Sequence, residues 1–223
     1  MTGPRIVPDG EEARAEAIEH LRAGRIVAVP TDTVYGIAAD MALPDAIVRL
    51  FAAKQRPPEK AVAVLLSELA QAEAFAWLRP QARTLGERFW PGGLTLVLPL
   101  LYGVTLPGEL AGAGTIGVRI PDHEAPRALA RALGPVPTTS ANLSGEADAR
   151  DASEVAEKLG DAVALVIDGG PIRGGPASTV VDCTSDRPSI LREGAVPAWL
   201  IAETLERAGL RHAIRGDSGP HTR

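Results

Sequence analysis

Two cationic side chains lie two residues apart at the end of a helix-like stretch. Lys54 and Arg56 stand directly before a Pro-Pro pair, which would form a rigid turn and hold both cations in place. A guanidinium offers a planar fork and an ammonium a mobile point charge, so the pair suits a phosphate or another oxyanion. Cations also suit the negative pole at the end of any helix. On spacing alone, a solvated helix end is the simpler interpretation.

Small polar side chains follow a second apolar run. Ser140 and Asn142 come directly after the strand-like residues 136–139. Ser-Ala-Asn is typical of a turn or a helix cap. Small polar side chains and free backbone N–H groups at the carboxyl end of a strand are also what a bound phosphate or carboxylate needs. Both interpretations stay open at this point.

A third polar cluster follows the apolar run 25–30. Thr31, Thr33 and Tyr35 alternate with other residues, which is equally typical of a half-exposed strand. Arg119, within Gly-Val-Arg-Ile-Pro, is in the simplest interpretation a surface charge at a strand end. Its guanidinium fork also suits a carboxylate.

Composition favours one large domain of ordinary globular character. The chain has 223 residues, of which 45% are hydrophobic and 4% aromatic, so the core must depend on Ala, Val, Leu and Ile. The formal net charge of −5 disfavours a dedicated nucleic-acid binder, which is usually basic.

The cysteine and histidine pattern favours an intracellular protein without a structural metal. Cys183 is the single cysteine, which excludes an internal disulfide and suits the reducing cytoplasm. The four histidines show no zinc-binding spacing. The sequence also contains neither an apolar stretch of membrane-spanning length nor a signal pattern at its start. We therefore expect a cytoplasmic protein that makes no membrane contact.

Hydrophobic periodicity predicts helices and strands that interleave without a strict repeat. This pattern predicts an α/β domain with a mixed sheet over residues 11–208, followed by a polar, disordered tail over 209–223. Neither a dinucleotide-binding nor a P-loop glycine motif is present. The predicted helices are 11–23, from 44 to about 53, 68–77, 81–88, 126–133, 151–159 and 198–208, and the predicted strands are 25–30, 61–66, 94–100, 115–120, 136–139, 162–167, 178–182 and 189–192.

Six segments taken in order resemble the threonylcarbamoyl-AMP synthase family, the YrdC-like proteins. The segments are 30–36, 54–57, 89–95, 117–121, 139–144 and 178–182, and the resemblance runs from about residue 14 to about residue 197. It implies a single-domain YrdC-like fold, in which helices flank a twisted mixed sheet with a large concave ligand cavity. The chain matches the short form, without the additional C-terminal domain of longer members.

The resemblance implies an enzyme that condenses L-threonine, bicarbonate or CO₂, and ATP into L-threonylcarbamoyladenylate with release of pyrophosphate. This reaction is the first step of threonylcarbamoyladenosine synthesis on tRNA. Mg²⁺ would accompany ATP, with no metal held by the protein alone. The product would pass to a separate threonylcarbamoyl transferase complex acting on tRNA, and a weak contact with tRNA itself stays open.

The resemblance also assigns roles to individual residues. Lys54 and Arg56 would be catalytic, and as polar, partly exposed side chains they should contribute little to stability. Leu65 stands where some relatives have a histidine facing threonine, and Ala61-Val62 replaces a common Pro-Leu, so recognition of the threonine hydroxyl stays open. The implied L-threonine contacts are Thr33, Arg119, Ser140 and Ser178, and the implied ATP contacts are Lys54, Arg56, Lys60, Thr115, Asn142, Arg150 and Arg192.

Two other functions remain as alternatives. An RNA-binding module of the same fold would line its concavity with positive charge, but the acidic net charge and few aromatics count against it. A carbamoyl-phosphate-dependent carbamoyl-transfer module, like the related domain of hydrogenase-maturation proteins, usually lies in a longer chain with zinc-finger segments. The single cysteine counts against that alternative.

Overall fold

A computed structural model describes residues 3–54, 62–107, 110, 114–143, 145–172 and 175–214. Within these ranges the chain forms ten strands and seven α-helices. The strands are β1 (Arg5–Pro8), β2 (Val27–Val29), β3 (Gly36–Ala38), β4 (Ala63–Leu65), β5 (Leu94–Pro99), β6 (Thr115–Arg119), β7 (Val136–Ser140), β8 (Leu165–Asp168), β9 (Thr179–Asp182) and β10 (Ser189–Arg192). The helices are α1 (Glu11–Arg22), α2 (Pro44–Ala53), α3 (Leu69–Glu73), α4 (Pro80–Phe89), α5 (Glu124–Leu133), α6 (Ala152–Leu159) and α7 (Ala198–Arg207).

All ten strands form one mixed sheet in the order β1-β8-β2-β3-β7-β4-β6-β5-β9-β10. The pairs β1–β8, β2–β8, β4–β6 and β5–β9 are parallel, and the other neighbours are antiparallel. The predicted α/β class with a mixed sheet is confirmed.

Local signals explain where several helices begin and end. Pro44 opens α2 in the first turn, where its missing N–H costs nothing. The Asp151 side chain accepts a hydrogen bond from the N–H of Glu154 and caps α6. Gly24 follows α1 with φ +73°, a left-handed conformation that glycine adopts most easily.

Helices cover both faces of the sheet and enclose two cores. The larger core lies between one face and helices α2, α4, α6 and α7, and it includes Leu94, Leu96 and Leu98 of β5. The smaller core lies on the opposite face, where α1 and α5 pack over β8, β2, β3 and β7. Helix α1 contacts β8 and β2 near the β1 edge of the sheet, and α5 contacts β7 and β4 at its middle.

The structure differs from the sequence prediction in its short edge and hairpin strands. Neither β1 nor β3 was expected, because β1 ends in Pro8 and β3 begins with Gly36, two residue types that are depleted in strands. At the other end, Ile214 packs into the larger core and the N–H of Ala213 donates to the carbonyl of Pro188. The predicted tail thus begins with residues that contact the body, and residues 215–223 lie outside the described ranges.

Candidate active site

Beyond α1 and α5, the same face of the sheet carries polar side chains. Because side chains alternate along a strand, Ile116 and Val118 of β6 reach the larger core, while the residues between and beside them face the other way. A Cβ built on Gly117 would lie 3.7 Å from Cγ2 of Thr95, which places both residues on this face. By strand register the polar face includes Thr95, Thr115, Arg119, Thr138 and Ser140.

Arg119 is the buried centre of this face. Only 5% of the residue is exposed, and its guanidinium donates to Thr33 Oγ1 and to Asp32 Oδ1, each at 2.7 Å. Its Nε donates to the carbonyl of Gly92 at 2.9 Å. Burial lowers the pKa of Arg119, the Asp32 carboxylate opposes that shift, and the positive charge of Arg192 adds to it. The result is a fixed, desolvated guanidinium, which suits recognition of a carboxylate.

A tight turn holds Thr33 against Arg119. The hydroxyl of Thr31 donates to the carbonyl of Val34 at 2.6 Å and accepts hydrogen bonds from the N–H groups of Thr33 and Val34. Such hydroxyl-to-backbone bonds stabilise turns. The interpretation of residues 31–35 as a half-exposed strand is therefore wrong, because these residues form a turn that precedes β3. Tyr35 is fully buried.

Ser178 and Arg192 contact each other at the far end of the polar face. The Arg192 Nη2 donates to the carbonyl of Ser178 at 2.8 Å and lies 3.3 Å from its hydroxyl. The Ser178 hydroxyl also shares a 2.8 Å hydrogen bond with Thr95 Oγ1. A residue expected at L-threonine and one expected at ATP are thus direct neighbours.

Lys54 is buried, which corrects the expectation of partial exposure. Only 1% of the residue is exposed, because the final turn of α2 directs it toward the end of β7. Its Nζ donates to the carbonyl of Ser140 at 2.7 Å, to the Ser140 hydroxyl at 2.9 Å and to Asn142 Oδ1 at 2.8 Å. The Ser140 hydroxyl in turn donates to Asn142 Oδ1 at 2.6 Å. The cationic segment that contains Lys54 and the polar turn at Ser140 and Asn142 are therefore joined through this ammonium.

The other expected site residues are placed less closely. Thr115 lies on the polar face at the start of β6, four residues before Arg119. Arg150 is exposed, and its described hydrogen bonds come from its backbone. Leu65, 4% exposed, pairs in register with Arg119 and places an apolar side chain beside it. Arg56 and Lys60 lie outside the described residues.

Sequence reasoning missed two side chains that complete these contacts. Asp32 pairs with Arg119, and Thr95 pairs with Ser178. Thr95 had a signal, because it is the polar residue among the alternating leucines of β5. Asp32 lies within the 30–36 segment, but its partner is 87 residues away and no local pattern indicates the pairing.

A cleft of about 610 Å³ lies elsewhere, at the amino ends of β2 and β8. Gly24, Arg49 and Asp161 are among the residues that line it. The large concave ligand cavity that the family resemblance implies therefore stays a prediction.

The described residues offer neither a cluster of metal ligands nor a membrane-spanning helix. Within the described ranges, no three histidine, cysteine or acidic side chains gather in a way that could hold a metal ion. No helix in the described part of the chain has the length and apolar character needed to cross a membrane.

Comparison with known proteins identifies close relatives of this chain. Residues 19–194 match the sequence pattern of the Sua5/YciO/YrdC family, which carries the description "Telomere recombination". The threonylcarbamoyl-AMP synthase of Bacillus subtilis is 40% identical over 184 residues, which are 82% of this chain and 53% of that protein. A Mycobacterium tuberculosis relative is 39% identical over 191 residues, 85% of this chain and 87% of that protein.

A solved structure supports the same relationship. The crystal structure of P. abyssi Sua5 complexed with L-threonine superposes with a TM-score of 0.81 at 32% identity. The superposition covers 98% of this chain and 66% of the P. abyssi chain. This chain thus spans about half of the B. subtilis relative and two thirds of the P. abyssi structure.

Proposed function

The chain belongs to the Sua5/YciO/YrdC family, and from this premise we propose that it is an L-threonylcarbamoyladenylate synthase. It condenses L-threonine, bicarbonate or CO₂, and ATP, and releases pyrophosphate. The enzyme is a nucleotidyltransferase, and its product begins threonylcarbamoyladenosine synthesis on tRNA. A B. subtilis relative with the name of this activity is 40% identical over 82% of the chain.

The buried guanidinium of Arg119 is the observation that carries the proposal. It lies on the polar face beside the Thr33 hydroxyl, where an amino-acid carboxylate would find a fixed donor fork. Leu65 pairs in register with Arg119 and offers an apolar wall to the threonine methyl group. In this proposal the amino acid contacts Thr33, Arg119, Ser140 and Ser178.

The nucleotide binds at the neighbouring cationic residues. Lys54 donates a hydrogen bond to Asn142, and Arg192 donates one to Ser178. Because Ser178 is a proposed contact of the amino acid and Arg192 a proposed contact of the nucleotide, ATP would lie directly beside the amino acid. The proposed ATP contacts are Lys54, Arg56, Lys60, Thr115, Asn142, Arg150 and Arg192. The Mg²⁺ that accompanies ATP is held in this proposal by phosphates and water, the ligands that Mg²⁺ commonly keeps.

The reaction needs positioning and charge more than a protein nucleophile. The threonine amine loses a proton and adds to CO₂, which forms the N–C bond of a carbamate. A carbamate oxygen then attacks the α-phosphorus of ATP, the bond to the bridging oxygen of the β-phosphate breaks, and pyrophosphate leaves. Carbamate and triphosphate are both anions, and their repulsion must be offset by the positive charges of Lys54, Arg56, Arg119 and Arg192.

The product is labile and must be consumed by a second protein. We propose that a separate threonylcarbamoyl transferase complex takes the adenylate to tRNA, with at most weak contact between tRNA and this chain. We place the reaction in the cytoplasm, where ATP and tRNA occur together.

The test is an assay of pyrophosphate release in which each component is omitted in turn. Release should require ATP, L-threonine and bicarbonate together, because only the carbamate is the nucleophile, and mass spectrometry should detect the adenylate. L-serine should be about 10- to 200-fold poorer, since it lacks one methyl group in an apolar pocket.

Four outcomes would contradict the proposal. Pyrophosphate released equally well without threonine, or not released with all components present, would exclude the synthase. A response to carbamoyl phosphate in place of bicarbonate would favour the carbamoyl-transfer alternative. Tight RNA binding without joint dependence on the substrates would favour the RNA-binding alternative.

A further inference from the structure

We propose that Asp32 is a positioning residue for the amino-acid substrate, because its carboxylate fixes the orientation of the Arg119 guanidinium. The inference rests on the proposed function, in which Arg119 binds the carboxylate of L-threonine. Asp32 acts on the substrate through Arg119.

The Asp32 carboxylate is itself held in place. Its Oδ1 accepts from Arg119 Nη2 at 2.7 Å and from the backbone N–H of Asp122 at 3.0 Å. The side chains of Arg119 and Asp32 are 6% and 20% exposed, so water screens this ion pair weakly. The carboxylate thus links the turn before β3 to the segment after β6.

The contacts of Arg119 fix the plane of its guanidinium from three directions. Nε donates to the carbonyl of Gly92, Nη1 to the hydroxyl of Thr33 and Nη2 to Asp32. An arginine has five N–H groups, so the contacts within the described part of the chain leave one on each terminal nitrogen. Two N–H groups on adjacent nitrogens are what bidentate binding of a carboxylate needs.

Orientation, and not attraction, is the contribution of Asp32. Its negative charge has the same sign as the substrate carboxylate and therefore cannot draw that group into the site. A neutral side chain of the same shape should consequently replace it, provided that its oxygen still accepts from Arg119 and from the N–H of Asp122. Asparagine meets this condition, and alanine does not.

The experiment compares Asp32→Ala with Asp32→Asn by calorimetric titration of L-threonine and, separately, of ATP. Asp32→Ala should weaken L-threonine binding by about tenfold or more, since small errors of placement are costly at such sites. Its ATP affinity should stay within about twofold, and Asp32→Asn should recover most of the L-threonine affinity. Arg119→Lys, which keeps the charge and loses the fork, should show the same selective loss.

Glu87→Ala removes an exposed carboxylate on α4 and serves as the control, with both affinities unchanged. The proposal is overturned if Asp32→Ala binds L-threonine like the unmodified protein, or if it loses ATP affinity equally. Asp32→Asn as weak as Asp32→Ala would also overturn it, because the neutral acceptor would then have failed to orient Arg119.

A second measurement separates this inference from the proposed function. If the unmodified chain neither binds L-threonine nor releases pyrophosphate, the proposed function fails. The ¹⁵N NMR signal of Arg119 Nε–H still reports positioning in the free protein. We expect a slowly exchanging signal that Asp32→Asn retains and Asp32→Ala loses, and a signal unchanged in Asp32→Ala would overturn the inference.

Discussion

At the scale of single residues, burial decides what a charged side chain can do. A cation removed from water needs hydrogen-bond partners to offset the loss of hydration. The ammonium of Lys54, in a residue that is 1% exposed, donates to three oxygens at the end of β7. Lys54 therefore shapes the Ser140–Asn142 turn as well as lying beside the proposed nucleotide. A variant at this position must be tested for stability before its activity is interpreted.

We expect Lys54→Ala to lower the free energy of unfolding by about 2–4 kcal/mol, because it leaves a cavity and removes the hydrogen bonds that the ammonium donates to three oxygens. Lys54→Met keeps most of the volume and isolates the loss of the hydrogen bonds, with an expected cost of about 1–3 kcal/mol. Urea denaturation measures both values.

Lys158→Met is the matched control for this comparison. The Lys158 Nζ donates to the carbonyl of Ala147 from a side chain that is 24% exposed, so the expected change is below about 1 kcal/mol. A Lys54→Met protein as stable as the Lys158→Met protein would show that the buried ammonium contributes nothing to the fold.

At the scale of elements, the sequence predicted the helices and strands that have a clear hydrophobic period or a residue that marks where they begin or end. Helix α1 ends where Gly24 follows it, and α2 begins at the proline that was expected to open it. Strand β3 escaped prediction because Gly-Ile-Ala shows no alternation. The neighbouring strand explains the glycine at its start, since a Cβ on Gly36 would lie 2.6 Å from Cγ2 of Thr138 on β7. Such a close approach depends on tertiary packing, and no local sequence pattern encodes it.

Tyr35 joins the start of β3 to the turn after β8. Its hydroxyl donates to the carbonyl of Gly170 at 2.8 Å and accepts from the N–H of Gly169 at 3.2 Å. Burial raises the pKa of Tyr35 from 10.0 to about 12, and the negative charge of Asp168 adds to the shift. The folded protein therefore holds the phenolic proton more tightly than the unfolded chain does.

The sign of the resulting pH dependence follows from that difference. The contribution of Tyr35 is fully present below pH 10 and is lost as the pH rises through the interval from 10 to about 12. Tyr35→Phe should remove this part of the alkaline loss of stability. At neutral pH it should cost about 1–2 kcal/mol, because the carbonyl of Gly170 and the N–H of Gly169 lose their partner.

Denaturation between pH 8 and 11.5 tests this prediction, with Tyr102→Phe as the control. Tyr102 is fully exposed and is the other tyrosine of the chain, so its variant should keep the alkaline slope of the unmodified protein. If Tyr35→Phe also keeps that slope, another group causes it.

At the scale of the whole molecule, the candidate site draws on distant parts of the chain. Lys54 and Ser140 are 86 residues apart, as are Thr33 and Arg119, and Thr95 is 83 residues from Ser178. The sequence could supply the residue types, and the family resemblance their expected roles. It could not supply the pairs, because these depend on the order of ten strands in one sheet. For the same reason the Asp32–Arg119 ion pair emerged only from the structure.

These long-range pairs predict that the two substrates stabilise the fold cooperatively. Ser178, expected at L-threonine, contacts Arg192, expected at ATP, and Lys54 ties Ser140 to Asn142 in the same way. A ligand that orders one member of each pair should reduce the entropic cost of ordering the other. We therefore expect L-threonine to tighten the binding of a non-hydrolysable ATP analogue about tenfold, which is within the usual range of coupling between sites.

Thermal unfolding with each ligand alone and with both ligands together tests this coupling, because independent sites give additive stabilisation. D-threonine is the control, since its inverted Cα cannot present the same groups to Arg119 and Ser178. A shift with both ligands equal to the sum of the separate shifts would show that the contacts between the two halves of the site carry no coupling.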